Sequence, residues 1–464
     1  MLDRFLDILD KTRHGELISE KEWNYKIVPT ETEAVLKEHG LMNSYDKENP
    51  INVDLGLADD FWQAGFELAT RLGMYCPDTQ RRVMFTEEEI KESMKNSVTE
   101  FQVGLGKDRV VVRKRRLEDR ISPLAAMSPL GLEVSEELFI PIIQSIIQYT
   151  VVDFSQGCTL RTIHGHDIRA RTPEETLSGM YEAVLMKEAL RRAGRPGMPL
   201  FGVEGAPTEY GHFGGFCPGG FDPAQCVAIA LFPEPAKLPY HILHRVAQSI
   251  NGSYPIHAGH MLSIYGYFGP PEGGVVGSIA LQLLLKAAVP IHQIDVESSI
   301  LDARYFGNAG RETLWASSVS YQARSRNTPI LDCGFTSQVN GPGTDMILYE
   351  SALTALTDSV SGVSLEVGTR PAGCRYANNC SSLENKFTAE VIKASANLKL
   401  SDVAHIVKTI INTVPNYEDR LHHPSPGKSF TELMDLKTLQ PTKDWLAVYE
   451  RVWKELEDLG LQRP

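Results

Sequence analysis

Residues 145 to 385 alternate short apolar runs with longer amphipathic patterns, and this alternation constrains the fold most strongly. Short apolar runs bounded by turn residues predict buried strands, and the longer patterns between them predict helices. The candidate strands are "TVVDFSQG" (150–157), "PLFGVEG" (199–205), "CVAIALF" (226–232), "PILDCGF" (329–335) and "GVSLEVG" (362–368), with less clear ones near "MLSIYGYFG" (261–269) and "IHQIDVES" (291–298). Repeated strand–helix units of this kind predict a parallel (β/α)8 TIM barrel. An open doubly wound sheet is the alternative, but no G-x-G-x-x-G loop follows a strand.

Helical patterns flank this region on both sides. In "FTEEEI", Thr86 and Glu89 have the spacing of a capping box, and Thr172 and Glu175 repeat that spacing at the start of a long helical pattern. We therefore divide the chain into an N-terminal helical extension (1–140), a TIM barrel (141–385) and a C-terminal helical region packed on the barrel (386–464).

Composition limits the partners and the compartment. The 464 residues carry a net charge of −13, which argues against nucleic acid or an anionic membrane as the main partner. Seven thinly spread cysteines are typical of a reduced, cytosolic chain. The N-terminus "MLDRFLDILDKTRHGE" reads as an amphipathic helix, and no apolar run approaches the ~20 residues that span a bilayer. These features predict a cytoplasmic protein.

In a barrel of this kind, catalytic residues lie at the carboxyl ends of the strands. The first such loop, "RTIHGHDIR", holds His164 and His166, and an H-x-H pair at a strand end is able to bind a metal. His257 and His260 in "IHAGHM" are further candidates, but their spacing is not diagnostic. We therefore predict substrate contacts for the loop histidines and no metal site.

The ends of two further predicted strands carry candidate site residues, one carboxylate and two aromatic rings. Glu204 lies at the end of a strand in a glycine-rich stretch, where it is either a buried acid or base or the cap of the next turn. Phe201 and Phe335 end two apolar strands. If both face the barrel mouth, they form an aromatic wall that suits a methylated ammonium. The alternative is that both are ordinary core residues.

Long, ordered stretches of the chain carry a family resemblance. Among them are "AGFELATRLGMYCPDTQRRVMFTEEEI" (64–90), "AGRPGM" (193–198), "GPGTDMILYESALTALTDSVSG" (341–362) and "PGKSFTELMDLKTLQPT" (426–442). The chain resembles the monomethylamine methyltransferases of methylotrophic archaea, which pass a methyl group from monomethylamine to the cobalt of a separate corrinoid protein. The resemblance implies a (β/α)8 barrel with extra terminal helices and a homo-oligomer. It also implies a cognate corrinoid protein that carries the cobalamin, with no cofactor bound tightly by the chain itself.

The chain departs from the family at the site. The position of the family's pyrrolysine, directly after its "GRPGM-x-x" segment, falls on Phe201, which is followed by Gly202. A neighbouring family glutamate is matched by Glu204.

Two further polar positions of the family are also changed. A second family glutamate falls on Gly259 or Ala258, and a family glutamine falls on Phe335. Because the electrophile and two polar partners are replaced together, we infer a changed site. A quaternary ammonium needs no covalent activation, since its leaving group departs as a neutral amine. The departures therefore predict a donor that is a quaternary or otherwise substituted methylated amine.

The sequence thus predicts a pyrrolysine-free methyltransferase that acts on a corrinoid protein. Its predicted catalytic residues are Glu204, His257 and His260, and its predicted substrate-binding residues are Phe201, Gly202, Gly259, Phe335, His164 and His166. Three alternatives stay open. They are a monomethylamine enzyme with another means of activation, a metal-dependent barrel enzyme that uses His164 and His166, and a non-catalytic paralogue that binds the corrinoid protein.

Overall fold

The computed structural model describes residues 1–203, 206–232 and 236–464. Eight parallel strands form one sheet. The strands are β1 (Leu124–Met127), β2 (Ser155–Gln156), β3 (Leu200–Gly202), β4 (Cys226–Leu231), β5 (Ile256–Ile264), β6 (Ile294–Asp302), β7 (Leu331–Phe335) and β8 (Leu365–Gly368). Neighbouring strands follow the order β1-β8-β7-β6-β5-β4-β3-β2. A parallel bridge between Ala126 and Phe154 joins β1 to the start of β2. The sheet therefore closes on itself, and the predicted (β/α)8 barrel is confirmed.

Each barrel strand is followed by a helix that covers the outside of the sheet. These helices are α1 (Glu136–Ile147), α2 (Pro173–Arg192), α3 (Glu209–Gly215), α4 (Tyr240–Gly252), α5 (Pro271–Ala288), α6 (Arg311–Asn327), α7 (Asp345–Val360) and α8 (Ser382–Ala394). Helices α5 to α7 are buried along most of their length because further helices pack over them. In barrels of this kind the active site lies at the carboxyl ends of the strands.

The first strand lies earlier than the sequence predicts. Leu124–Met127 precedes residue 141, where the sequence analysis began the barrel, and only Ser155–Gln156 of the run 150–157 forms a strand. The sequence of β1 is "LAAM", and alanine is poorly represented in strands, so its pattern carries no strand signal. Pairing with β8 makes it a strand.

The N-terminal segment supplies covering helices and a plug for the barrel. The helices are Leu2–His14, Glu20–Glu22, Val28–Glu38, Leu55–Leu72 and Glu87–Lys95. The hairpin Glu100–Val103/Val110–Arg113 places Phe101 in the apolar cluster of the barrel interior. The backbone N–H of Leu105 donates to the carbonyl of Gly197, just ahead of β3. The hairpin therefore closes the amino-terminal end of the barrel.

The C-terminal region adds four helices, Leu400–Thr413, Tyr417–His422, Phe430–Leu433 and Lys443–Asp458. The last of them packs against α7 and α8, as Trp445 and Trp453 are almost fully buried. Across the described ranges, no helix is both long and apolar enough to cross a membrane.

One of the two predicted capping boxes forms. Thr86 and Glu89 make both reciprocal bonds of a capping box, as predicted. The prediction for Thr172 and Glu175 is wrong. The Glu175 carboxylate instead accepts hydrogen bonds from the backbone N–H groups of Arg171 and Thr208 at 2.5 Å and 2.7 Å. A local bond shifted by one residue, together with a tertiary contact with the loop after β3, thus replaces the capping box that the spacing predicts.

Candidate active site in the barrel interior

Side chains on alternate positions of the barrel strands fill an interior cluster. Its strand members include Phe201, Val227, Ile229, Leu331, Cys333, Phe335, Leu365 and Val367. Phe201 and Phe335 are each only 1% exposed. Both predicted aromatic residues therefore point into the barrel.

Phe201 lies between another aromatic ring and an imidazole. Its ring stacks on Phe154 with centroids 5.3 Å apart, and the His257 ring lies 5.1 Å away on a tilted plane. Phe335 has a different neighbour, because the Arg370 guanidinium lies over its ring at 5.9 Å. The two phenylalanines are thus both interior, but one face of Phe335 already holds a cation.

His257 anchors a polar cluster beside Phe201. Its Nδ1 lies 2.5 Å from a carboxylate oxygen of Asp295, and its Nε2 lies 3.3 Å from a carboxylate oxygen of Glu297. Burial by itself lowers the pKa of His257, but the charges of Asp295 and Cys333 outweigh it and hold that pKa well above its ordinary value. Burial raises the pKa of the Cys333 thiol well above its ordinary value, against the influence of His257.

Gly259 makes room for one of these carboxylates. Gly259 pairs with Glu297 across β5 and β6, and a Cβ at this glycine would lie 2.9 Å from the Glu297 Cβ and 2.9 Å from the Leu231 Cδ2. Real Cβ atoms do not approach so closely without a shift of their neighbours. Gly259 is one of the two positions to which the resemblance assigns a family glutamate, and Glu297 from the next strand takes its space.

His260 and Gly202 lie on the outside of the sheet, away from the predicted site. Because strand side chains alternate, the odd spacing from His257 puts His260 on the opposite face of β5. There its Nε2 lies 3.1 Å from the Ser298 hydroxyl, and burial lowers its pKa to about 3. A Cβ on Gly202 would meet the Cys226 sulfur at 2.6 Å. Gly202 is therefore required for packing outside the barrel, and neither residue joins His257.

The remaining predicted residues lie elsewhere. His164 and His166 are exposed on a small hairpin after β2, where the backbone N–H of His164 donates to Glu136 at 2.8 Å. Among the residues that the structure describes, the group suited to hold a metal is His257, Glu297 and Cys333, which does not include this pair. Glu204 lies outside the described residues.

Asp295, Glu297 and Cys333 are not among the site residues predicted from the sequence. Their signal was present, since Asp295 and Glu297 occupy alternate positions of the candidate strand "IHQIDVES", and Cys333 lies in the strand "PILDCGF". Two carboxylates on one face of a buried strand carry a high desolvation cost, which makes them candidates for a site. These three residues lie within strands, whereas the residues predicted from the sequence were chosen at the strand ends.

Comparisons with known proteins find relatives that are similar to nearly the whole chain. The sequence model described as "Monomethylamine methyltransferase MtmB" matches residues 4–461. The chain is 29% identical to monomethylamine methyltransferase MtmB1 of Methanosarcina barkeri over 461 residues, which cover 98% of this chain and 97% of that protein. The MtmB1 protein of Methanosarcina acetivorans matches with the same identity and coverage.

Two solved structures have the same fold. The crystal structure of the hydroxylamine complex of MtmB superposes with a TM-score of 0.93 at 28% identity, covering 99% of this chain and 98% of that one. The crystal structure of the Methanosarcina barkeri monomethylamine methyltransferase superposes with a TM-score of 0.92 at the same identity and coverage. The likeness therefore extends over the whole barrel and both terminal regions.

Proposed function

The chain belongs to the MtmB family of monomethylamine methyltransferases, and we propose that it moves a methyl group from a quaternary or otherwise substituted methylated amine to the cobalt of a cognate corrinoid protein. The family resemblance supports the reaction type. The interior of the barrel supports the choice of donor.

The position of Phe201 is the observation on which the donor assignment rests. The pyrrolysine position of the family resemblance is here an aromatic ring, packed between Phe154 and His257. Aromatic faces attract methylated ammonium groups, and the nearby Glu297 carboxylate adds an opposite charge. An aromatic and anionic interior therefore selects a cationic donor without a covalent bond to it.

Chemistry favours the same donor. A quaternary nitrogen leaves as a neutral amine when its C–N bond breaks, so no side chain needs to capture the amine or to protonate it. The corrinoid carried by the partner protein supplies the cobalt nucleophile. The residues of this chain then have to hold the ammonium group, direct one methyl group toward the barrel mouth and exclude water.

A methylation assay tests the proposal. The protein is mixed with reduced corrinoid protein or free Co(I) cobalamin and with a panel from mono- to tetramethylated amines and betaines, and methyl-cobalt is followed by absorbance. We expect turnover with a quaternary or substituted donor. Turnover of monomethylamine together with no turnover of any quaternary donor would overturn the donor assignment.

The aromatic contact is tested with Phe201→Leu, which removes the ring but keeps an apolar side chain. A cation–π contact contributes ~0.5–2 kcal/mol, so donor affinity should fall roughly two- to thirtyfold. Phe335→Leu should have the smaller effect, since Arg370 already lies over that ring. Phe139→Leu in α1, which is buried but outside the barrel interior, is the matched control. Unchanged donor affinity in both Phe201→Leu and Phe335→Leu would contradict the aromatic wall.

A further inference from the structure

We propose that His257, Glu297 and Cys333 form a binding site for one divalent metal ion of the zinc class. One donor atom from each residue lies within 4.8 Å of the others. The three residues come from the adjacent strands β5, β6 and β7, and Glu297 pairs directly with Cys333. Imidazole nitrogen, carboxylate oxygen and thiolate sulfur together are a donor set typical of zinc.

Asp295 positions the imidazole for this role. Its carboxylate lies 2.5 Å from Nδ1 of His257, so the opposite nitrogen, Nε2, is turned toward Glu297. Histidines that bind metals commonly donate their second ring N–H to a carboxylate, which fixes the ring and the tautomer. The arrangement of Asp295 and His257 is therefore that of a ligand and its supporting carboxylate.

Charge balance favours an ion at this position. His257, Glu297 and Cys333 are 4%, 3% and 0% exposed. Without an ion Cys333 is a neutral thiol, and a bound ion would replace its proton, because a thiolate buried beside the Glu297 carboxylate needs a compensating cation. A divalent ion cancels these two negative charges when the imidazole is neutral. With the neighbouring Asp295 carboxylate counted, the occupied site keeps one net negative charge, so it does not repel a cationic donor held by Phe201.

Three protein ligands leave one position of a tetrahedral zinc ion open, as in catalytic zinc sites. Water or a lone-pair group of a bound molecule takes that position. A quaternary nitrogen has no lone pair, so the ion would bind another group of such a donor. This inference goes beyond the proposed function, because the site would bind its ion with or without a methyl donor.

Metal titration of the full chain tests the site in the absence of donor and corrinoid protein. The protein is dialysed against a chelator under reducing conditions and titrated with Zn²⁺ or Co²⁺ alone. We expect one ion per chain by elemental analysis, and a near-ultraviolet charge-transfer band from thiolate to Co²⁺. Failure of the wild-type chain to bind either ion stoichiometrically would overturn the proposal and would leave the methylation assay unaffected.

Substitutions of single residues test which side chains bind the metal ion. Cys333→Ser should abolish the charge-transfer band, while Cys226→Ser, which changes a buried thiol on the outer side of β4, should keep it. Asp295→Asn should weaken metal affinity roughly 10–100-fold, in line with the loss of a supporting carboxylate. His166→Ala, on the exposed hairpin, should bind one ion as the wild type does. A band that persists in Cys333→Ser, or an ion lost in His166→Ala, would contradict the assignment.

Discussion

Strands β5 and β7 carry polar side chains on both faces, and the two faces hold them differently. On the inner face, His257, Glu297 (from β6) and Cys333 contact one another beside the aromatic rings. On the outer face, His260 and Asp332 contact neighbouring strands and the surrounding helices. The inner residues therefore contact one another and an aromatic ring, while the outer residues bond to neighbouring strands and helices.

The outer network is centred on Asp332. Its carboxylate accepts a hydrogen bond from Gln282 of α5 at 2.8 Å and lies 3.3 Å from the Arg324 guanidinium of α6. The Lys114 ammonium, which follows the plug hairpin, lies 3.8 Å away. Burial lowers the pKa of Lys114 to about 8, against the opposing influence of Asp332. The network thus ties two helices and the plug to the barrel.

This difference teaches that a buried charge in this barrel is not by itself a sign of function. The partners differ: among the described residues, helix side chains surround the outer charges, whereas the inner charges contact one another and the His257 ring lies against Phe201. Substitutions on the inner face should therefore change activity, and those on the outer face should change stability.

The largest effect should come from Glu297→Gln on the inner face. Removing this carboxylate takes away the negative charge beside the proposed donor site and the partner of His257 Nε2. Loss of one such electrostatic group costs roughly 10²–10³-fold in turnover. Methyl transfer is measured by the absorbance of methyl-cobalt, with circular dichroism to confirm folding. Glu366→Gln is the matched control, because Glu366 is buried on the outer face of β8 and bonds to Thr336. Equal losses in both variants would contradict the comparison.

On the outer face, Asp332→Asn should reduce stability. The substitution leaves Arg324 and Lys114 without their shared carboxylate, and an uncompensated buried charge costs about 3–5 kcal/mol. Urea unfolding measures the change in the free energy of unfolding. Donor affinity of the folded fraction should stay close to that of the wild type. A stable variant with impaired donor binding would assign Asp332 to the site instead.

The pH dependence of the free energy of unfolding should show that the buried His260 is neutral in the folded chain. Its pKa is about 3 in the folded chain and 6.5 ordinarily, so the unfolded chain binds the extra proton as the pH falls below 6.5. Stability from this group is fully present above pH 6.5 and is lost as the pH falls toward 3. Between pH 7 and 5 the loss is about 2 kcal/mol, at about 1.4 kcal/mol per pKa unit.

The measurement compares urea unfolding of the wild type and His260→Gln at pH 7 and pH 5. Glutamine does not titrate, so the variant should lose about 2 kcal/mol less than the wild type over this range. An identical loss in both proteins would mean that His260 takes up a proton as readily in the folded chain as in the unfolded chain.

Strand sequences with strong apolar character were predictable, and those without it were not. The runs that contain β3, β4, β7 and β8 are rich in valine, isoleucine, leucine and phenylalanine, so their pattern identifies them. Strand β1, with its two alanines, depends on pairing with β8. The local residue pattern of β1 does not show that it pairs with a strand more than two hundred positions further along the chain.

Some residues of the candidate site were predictable from the sequence and others were not, again because strand pairing decides which side chains meet. Phe201, His257 and Phe335 were identified from the residues and from the family resemblance, and the structure places all three in the interior. His260 was predicted beside His257, but a strand side chain three positions on points to the other face. Asp295 and Cys333 become part of the site only because β5, β6 and β7 are neighbours in the sheet.

The sequence by itself determined the barrel, its terminal helical regions and the presence of Phe201 where the family resemblance places pyrrolysine. These features depend on local pattern and on similarity along the chain. Only the tertiary structure decided which side chains share the interior, because register and strand order set the face and the neighbours of each residue. That is why the cluster of His257, Asp295, Glu297 and Cys333 became visible only when the strands were brought together.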